Sequence, residues 1–161
     1  MPFVYICFSK IKTMYDFIQK FHSGWAYLAL LLLVFAVVNA FMGMSSKKEF
    51  TAKDRKIALF GLIGAHIQLL VGLILYFVSE KGFSKIGELG MGAVMKNDGL
   101  RQIVIEHPFT NILAIILITI GWSKHKKKEI NTDKFKSIGI FYAIGLILLL
   151  AMIPWSNWLN K

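Results

Sequence analysis

Residues 57–78 read IALFGLIGAHIQLLVGLILYFV, an apolar run without a single Asp, Glu, Lys or Arg. A helix that spans a membrane needs about 20 mostly apolar residues to cross a hydrocarbon core about 30 Å thick. This stretch meets that length on its own. Thr51 and Asp54, just before it, have the spacing of a capping box, which marks the start of a helix. The sequence therefore predicts a membrane-spanning helix at about residues 54–79.

Three more apolar runs lie along the chain, one before this stretch and two after it. They are Trp25–Met44, Phe109–Trp122 with Ile103–Ile105 just upstream, and Ile138–Trp155. The third span reaches full length only if its helix begins near Ile103 and continues through Pro108. Hydrophobic residues make up 56% of the chain, far above the share in a soluble domain. We predict an all-α integral membrane protein, an antiparallel four-helix bundle with spans at about 22–44, 54–79, 103–123 and 136–155.

The remaining sequence consists of short connectors around one transmembrane domain, residues 22–158. The N-terminal segment 1–21 begins MPFVYICFSKIKT, in which apolar residues precede basic ones, the reverse of a cleaved signal peptide. Residues 1–13 are either a short interfacial helix or an over-extended gene start. We favour the second interpretation, in which they are dispensable. The glycine-rich segment 79–106 is predicted to be loop, with room for one short helical piece.

Positive charge is concentrated in two short connectors, residues 45–56 and 123–137. The other Lys and Arg residues are spread over the N-terminus, segment 79–106 and the C-terminus. The positive-inside rule therefore places both connectors in the cytoplasm and both termini on the periplasmic side.

Charge and cysteine usage exclude several functional classes. The net charge is +10, but the basic residues flank the spans and form no face interleaved with aromatic residues. Anionic lipid headgroups account for such charges, so the lipid bilayer is the expected partner and nucleic acid is not. The single cysteine, Cys7, leaves no internal disulfide, no C-x-x-C redox pair and no cysteine-ligated iron–sulfur cluster.

His22 and His107 each head a stripe of small and polar residues, on the first and third spans. Small residues let membrane helices approach closely, so both stripes should face the bundle interior. The two spans start on the same side, which places both imidazoles at similar depth near that interface. Two imidazoles at matched depth would suit the axial ligation of a haem iron. A two-histidine metal site is also possible, with Glu106 as a carboxylate ligand or as the acceptor behind a histidine ligand. Alternatively, both are interfacial histidines without a ligand.

His66 lies near the midpoint of the second span, where ionisable side chains are costly and usually functional. It sits roughly 20 Å from the outer end and points roughly 140° away from that span's small face. That depth makes it a poor partner for His22 or His107 on one haem. We expect it to ligate a deeper group, or to line a quinone or proton path with Gln68. His125 follows the third span among lysines and is interpreted as solvated or facing headgroups.

Four stretches of the sequence resemble a known family: HSGWAYLALLLL (22–33), ALFGLIGAHIQLLVGLILYFVS (58–79), RQIVIEHPFTNILAIILITIGWSK (101–124) and IGIFYAIGLILLLAMIPW (138–155). The family's H-S-x-x-x-Y, A-H-x-Q-L-x-x-G-L-x-L-Y and E-H-P elements match His22, Ser23 and Tyr27; Ala65, His66, Gln68, Leu69, Gly72, Leu73, Leu75 and Tyr76; and Glu106, His107 and Pro108. Over nearly all of residues 14–155 the chain is similar to a group of small bacterial four-span inner-membrane proteins named cytochrome b-like. The resemblance implies an inner-membrane location, haem b and electron transfer. Position 26 departs from the pattern, because this chain has Ala26 where relatives usually have arginine. A pairing of that arginine with a haem propionate or an acidic lipid is therefore not expected in this chain.

Three functions follow from these observations. The first is a b-type haem protein that exchanges electrons with a membrane quinone or a partner complex, with His22 and His107 as axial ligands and His66 and Gln68 in a deeper pocket. The second is a non-catalytic accessory subunit of a larger membrane complex, or a homo-oligomer. The third, a metal or proton transporter using His66, ranks last because four spans are few and no inverted repeat is evident. An electron carrier or an accessory subunit is favoured over a stand-alone enzyme, because the chain has neither a nucleophile elbow nor a zinc-protease motif.

Overall fold

Each apolar run folds as a long α-helix, which confirms the prediction of an all-α bundle. The computed structural model describes residues 2–155 and 158, with side chains for 13–155 and 158, so the Cys7 side chain lies outside the described residues. The helices are α1 (Pro2–Ser45), α2 (Ala52–Val78), α3 (Ser84–Leu89), α4 (Met91–Lys96), α5 (Asp98–Arg101), α6 (His107–His125) and α7 (Asn131–Met152). A π-helical turn, Gln102–Glu106, joins α5 to α6.

In the part of the chain that the structure describes, four stretches of helix are long and apolar enough to cross a membrane. They are Thr13–Ser45, Ala52–Val78, Asp98–His125 and Asn131–Met152. Within the apolar window of each, only between 22% and 33% of the residues are buried inside the bundle. Apolar surface exposed on this scale marks contact with lipid, and helices satisfy their own backbone hydrogen bonds there. The chain is therefore a multi-pass membrane protein whose outer surface contacts the bilayer.

The four long helices form a closed, antiparallel ring. Helix α1 packs against α2 and α7, and α6 packs against the same two helices. At one end, the Tyr15 hydroxyl lies 3.4 Å from Ser79 Oγ. At the other end, Asn39 donates to Asp54 Oδ1 at 3.0 Å. Small residues on the facing sides of the helices allow this close approach.

The two ends of the bundle differ in chemistry. Both basic connectors, residues 46–51 and 126–130, lie at one end, which we call the lysine end. There Phe50 of the first connector packs against Phe135 of α7, with ring centroids 4.9 Å apart. The opposite end, where α2 and α7 terminate, we call the histidine end.

The predicted capping box at the start of α2 is confirmed. The Thr51 amide donates to Asp54 Oδ2 at 3.0 Å, and the Asp54 amide donates to Thr51 Oγ1 at 3.4 Å. Asp54 is only 3% exposed, and its other oxygen accepts from Asn39 at 3.0 Å and from Lys48 at 2.7 Å. A buried carboxylate is tolerated only when paired in this way. The box therefore fixes where α2 leaves the lysine end.

The segment 79–106 differs from the predicted loop. It contains three short helices, α3, α4 and α5, followed by the π-helical turn. Gly90 separates α3 from α4 with φ of +79°, a conformation that glycine adopts without strain. The glycines in this segment therefore lie within and between short helices. The last of these helices, α5, continues without a break into the third span.

Candidate functional site

A cavity of about 430 Å³ opens at the histidine end, between the four long helices. Cofactor and small-molecule sites usually occupy roughly 300–1,000 Å³. Most of the lining is apolar, and its polar members include Tyr15, Gln19, His22, Ser23, Gln68, Tyr76, His107 and Asn111. Three of the predicted site residues, His22, His107 and Gln68, thus line one cavity.

His107 is oriented by the end of another helix. Its Nδ1 lies 2.9 Å from the main-chain oxygen of Met152, the last residue of α7. A carbonyl oxygen only accepts, so Nδ1 carries the proton and Nε2 carries the lone pair. Asn111, one turn along α6, donates its Nδ2 to that Nε2 at 3.0 Å. This tautomer, with Nδ1–H on a carbonyl, is the one in which metal-binding histidines are commonly held.

His22 is held in a parallel way by a carboxamide from α2. Gln68 Nε2 donates to the His22 main-chain oxygen at 3.1 Å and lies 3.4 Å from His22 Nε2. Gly72, one turn further along α2, faces the ring: a Cβ added there would lie 3.0 Å from His22 Cε1. The imidazole therefore occupies a space that a larger residue at position 72 would partly fill.

The two imidazoles lie close together. Their ring centroids are 6.4 Å apart and their planes are inclined at 78°. An imidazole nitrogen binds a transition metal at about 2 Å, so two rings on opposite sides of one ion have centroids roughly 6 Å apart. His22 and His107, which were expected to lie at matched depth, are thus neighbours in the structure. The His22 ring lies beside Gly72, which precedes the end of α2 at Val78 by roughly 9 Å of helix.

Two buried acceptors in this cavity lack a partner among the described residues: Gln68 Oε1 and Asn111 Oδ1. Each belongs to a carboxamide whose nitrogen faces a histidine, so each oxygen points elsewhere. Buried polar atoms are nearly always hydrogen-bonded, so such an atom calls for an explanation. A ligand that donates hydrogen bonds would provide one.

His66 is separate from this group. Its Nδ1 donates to the Leu62 main-chain oxygen at 2.9 Å, and its Nε2 lies 3.4 Å from Thr119 Oγ1 of α6. It does not line the cavity, and it lies roughly 9 Å of helix below the level of Gly72. The structure therefore pairs Gln68 with His22, whereas His66 links α2 to α6.

Glu106 is also directed away from the pair. Its Oε1 accepts from Arg101 Nε at 2.8 Å, while the Met152 carbonyl takes the place behind His107 that Glu106 was expected to fill. Within residues 13–155 and 158, no group of three or more His, Cys, Asp or Glu side chains could hold a metal ion. A metal-ion site with Glu106 as third ligand is therefore not formed.

The interpretation of His125 as a solvated residue is wrong. It is only 3% exposed, packed between Trp122 and Phe50 with centroid separations of 4.5 Å and 5.6 Å. The basic neighbours in sequence pointed to water, but the first connector folds over this ring. His125 is thus part of the packing at the lysine end.

Sequence reasoning passed over three features of the site. Asn111 shares a helical face with His107 at i, i+4 spacing, a signal that could have identified it as its partner. In the sequence Gly72 stands only as one member of the motif that contains His66. The Met152 carbonyl is a main-chain atom, which no side-chain pattern can mark.

Comparison of the chain with protein-family models, with curated proteins and with solved structures found no match.

Proposed function

We propose that this protein is a small membrane-embedded electron carrier that binds haem b between His22 and His107. The observation that supports the proposal most is the approach of these two rings to 6.4 Å inside an apolar cavity. The donor set fits the group, because histidine is a recognised ligand of haem iron and the tautomer of His107 leaves Nε2 as the basic nitrogen that would hold it. When bound, haem would supply a reversible one-electron centre.

Residues of the chain would orient the two histidines for that centre. The Met152 carbonyl fixes the ring of His107, and Gly72 leaves room for the ring of His22. Gln68 and Asn111 each place an amide nitrogen beside the Nε2 atom of one histidine. Ligation of iron by these atoms would therefore replace two amide contacts. Among the described residues that line the cavity, Lys81 is the one lysine or arginine. It is therefore the candidate to pair with an anionic propionate, because position 26 carries alanine and not arginine.

The test is an absorption spectrum of the protein purified in mild detergent from a host that makes haem b. We expect about one haem per chain by pyridine haemochrome assay, with reduced b-type bands. His22→Ala and His107→Ala should each lower haem content at least tenfold. His66→Ala serves as the matched control and should stay within twofold. A colourless protein of normal helical content would contradict the proposal.

A second candidate is a binding site for a quinol headgroup in the same cavity. It is favoured by the two buried amide oxygens of Gln68 and Asn111, because quinol hydroxyls donate hydrogen bonds and haem offers none at its ring face. Binding of decylubiquinol, followed by fluorescence quenching, should weaken about tenfold in Gln68→Leu and in Asn111→Leu. A colourless protein that binds this quinol would favour the second candidate, and a haem protein indifferent to both substitutions would favour the first.

We further propose that the membrane is the bacterial inner membrane, with the lysine end in the cytoplasm and both termini periplasmic. The positive-inside rule and the two basic connectors support this orientation. A larger membrane complex or a second copy of the chain is the electron partner we favour.

A further inference from the structure

A second pocket, of about 390 Å³, lies at the lysine end, on the opposite side of the membrane from the histidine cavity. It is formed where α6 ends and α7 begins. Four lysines line it, together with one carboxylate, one hydroxyl and two apolar side chains: Lys124, Lys127, Lys128 and Lys136, with Asp133, Ser137, Ile140 and Phe141.

In the part of the chain that the structure describes, no ion pair neutralises the positive charge of this pocket. Among the described residues, the ion pairs involve Lys48, Lys85 and Arg101 and none of the four pocket lysines. Four ammonium groups beside one carboxylate give this face a positive potential, which attracts anions. The charge balance therefore points to an anionic ligand.

The pocket is apolar on the side that faces the membrane. Lys124 Nζ lies 4.9 Å above the ring of Phe141, so a charged group and an aromatic face meet at its wall. From Ile140 the exposed face of α7 continues through Ile144 and Ile147, which are 39%, 44% and 64% exposed. Their i, i+4, i+7 spacing forms one straight stripe along the helix. A ligand that fits both parts carries an anionic head and an apolar tail.

We propose that this pocket binds the headgroup of an anionic phospholipid, with an acyl chain lying along Ile140, Ile144 and Ile147. Basic pockets between membrane helices bind phosphate-bearing lipid heads in this way. A soluble phosphate would use the lysines alone, so the apolar stripe favours a lipid. The proposal is independent of the histidine cavity and of any redox role.

The test measures lipid retention by native mass spectrometry of the full chain, delipidated in detergent and titrated with phosphatidylglycerol or phosphatidylcholine. One tight phosphatidylglycerol should bind, at least tenfold more tightly than phosphatidylcholine. The pocket variant K127Q/K128Q/K136Q should lose this preference, since each lysine near a lipid surface contributes about a factor of five. The control K47Q/K53Q/K56Q removes the same charge elsewhere at the lysine end, from the first connector and the start of α2, and should keep the preference.

Three results would overturn the proposal. Equal loss in both triple variants would mean that the lysine end attracts lipid only through its overall charge. No loss in either would mean that the pocket is not the site. The third result is displacement of the lipid by millimolar inorganic phosphate but not by chloride at the same ionic strength. It would mean that the site recognises a free anion. Should the triple variant fail to fold, the single charge reversal Lys128→Glu gives the same comparison against Lys53→Glu.

Discussion

At the scale of single residues, the two histidines of the cavity are restrained by different kinds of atom. His107 is held through Nδ1 by a main-chain oxygen, whereas His22 is held by packing beside Gly72 and by the side chain of Gln68. A ring held by packing moves when its neighbour grows. The position of His22 should therefore be the more sensitive of the two to substitutions on α2.

Replacing Gly72 tests this sensitivity. In Gly72→Val the new side chain would meet His22 Cε1, which already lies 3.0 Å from where a Cβ would be, and should displace the ring. We expect haem content, read from the reduced spectrum, to fall at least fivefold. Gly24→Val is the matched control on α1, because nothing lies within 4 Å of a Cβ added there. Equal haem content in the two variants would show that Gly72 does not position the ligand.

At the scale of helices, α6 and α7 pack closely at Gly121. A Cβ added there would lie 2.6 Å from Phe141 Cβ and 3.0 Å from the Ser137 main-chain oxygen, atoms that cannot move without shifting α7. Gly121→Ala should therefore destabilise the bundle by about 1–3 kcal/mol, the usual cost of overpacking.

Thermal unfolding in detergent, followed by circular dichroism at 222 nm, measures this effect. Gly92→Ala in α4 is the control, because a Cβ there meets nothing within 4 Å. A midpoint for Gly121→Ala at or above that of the control would show that the two helices can separate at little cost.

The helices also show what local sequence could and could not predict. Long apolar runs and the Thr51–Asp54 box are local signals, and they predicted the spans and the start of α2. The short helices in segment 79–106 were missed because glycine was taken as a mark of loop, although here it lies between helices. His125 was misjudged because its burial depends on Phe50, which is distant in sequence and close only after folding.

At the scale of the whole molecule, the bundle has one basic end and one end with the histidine cavity. The prediction of a periplasmic histidine end can be tested with single cysteines in a Cys7→Ser background. Glu88→Cys should react with a membrane-impermeant maleimide in intact spheroplasts, whereas Lys128→Cys should react only after lysis, because basic connectors stay in the cytoplasm. The reverse pattern would invert the orientation.

The pairing of His22 with His107 could be predicted at this scale, because antiparallel spans place their heads at one level. Their companions could not be predicted in the same way. Gln68 was expected beside His66, and its contact with His22 depends on how α2 is rotated against α1. Helix rotation is decided by packing over the whole bundle, which spacing along one helix does not reveal.

The hydrogen bond from His107 to the Met152 carbonyl has a consequence for sequence variation. Because the acceptor belongs to the main chain, side-chain substitutions at position 152 leave it in place, and this position is free to drift. Insertion or deletion of one residue within α7 would instead rotate its last turn by about 100° and carry the carbonyl away from the imidazole. Selection on this contact would thus act on the length of a helix and leave no trace in the identity of any residue.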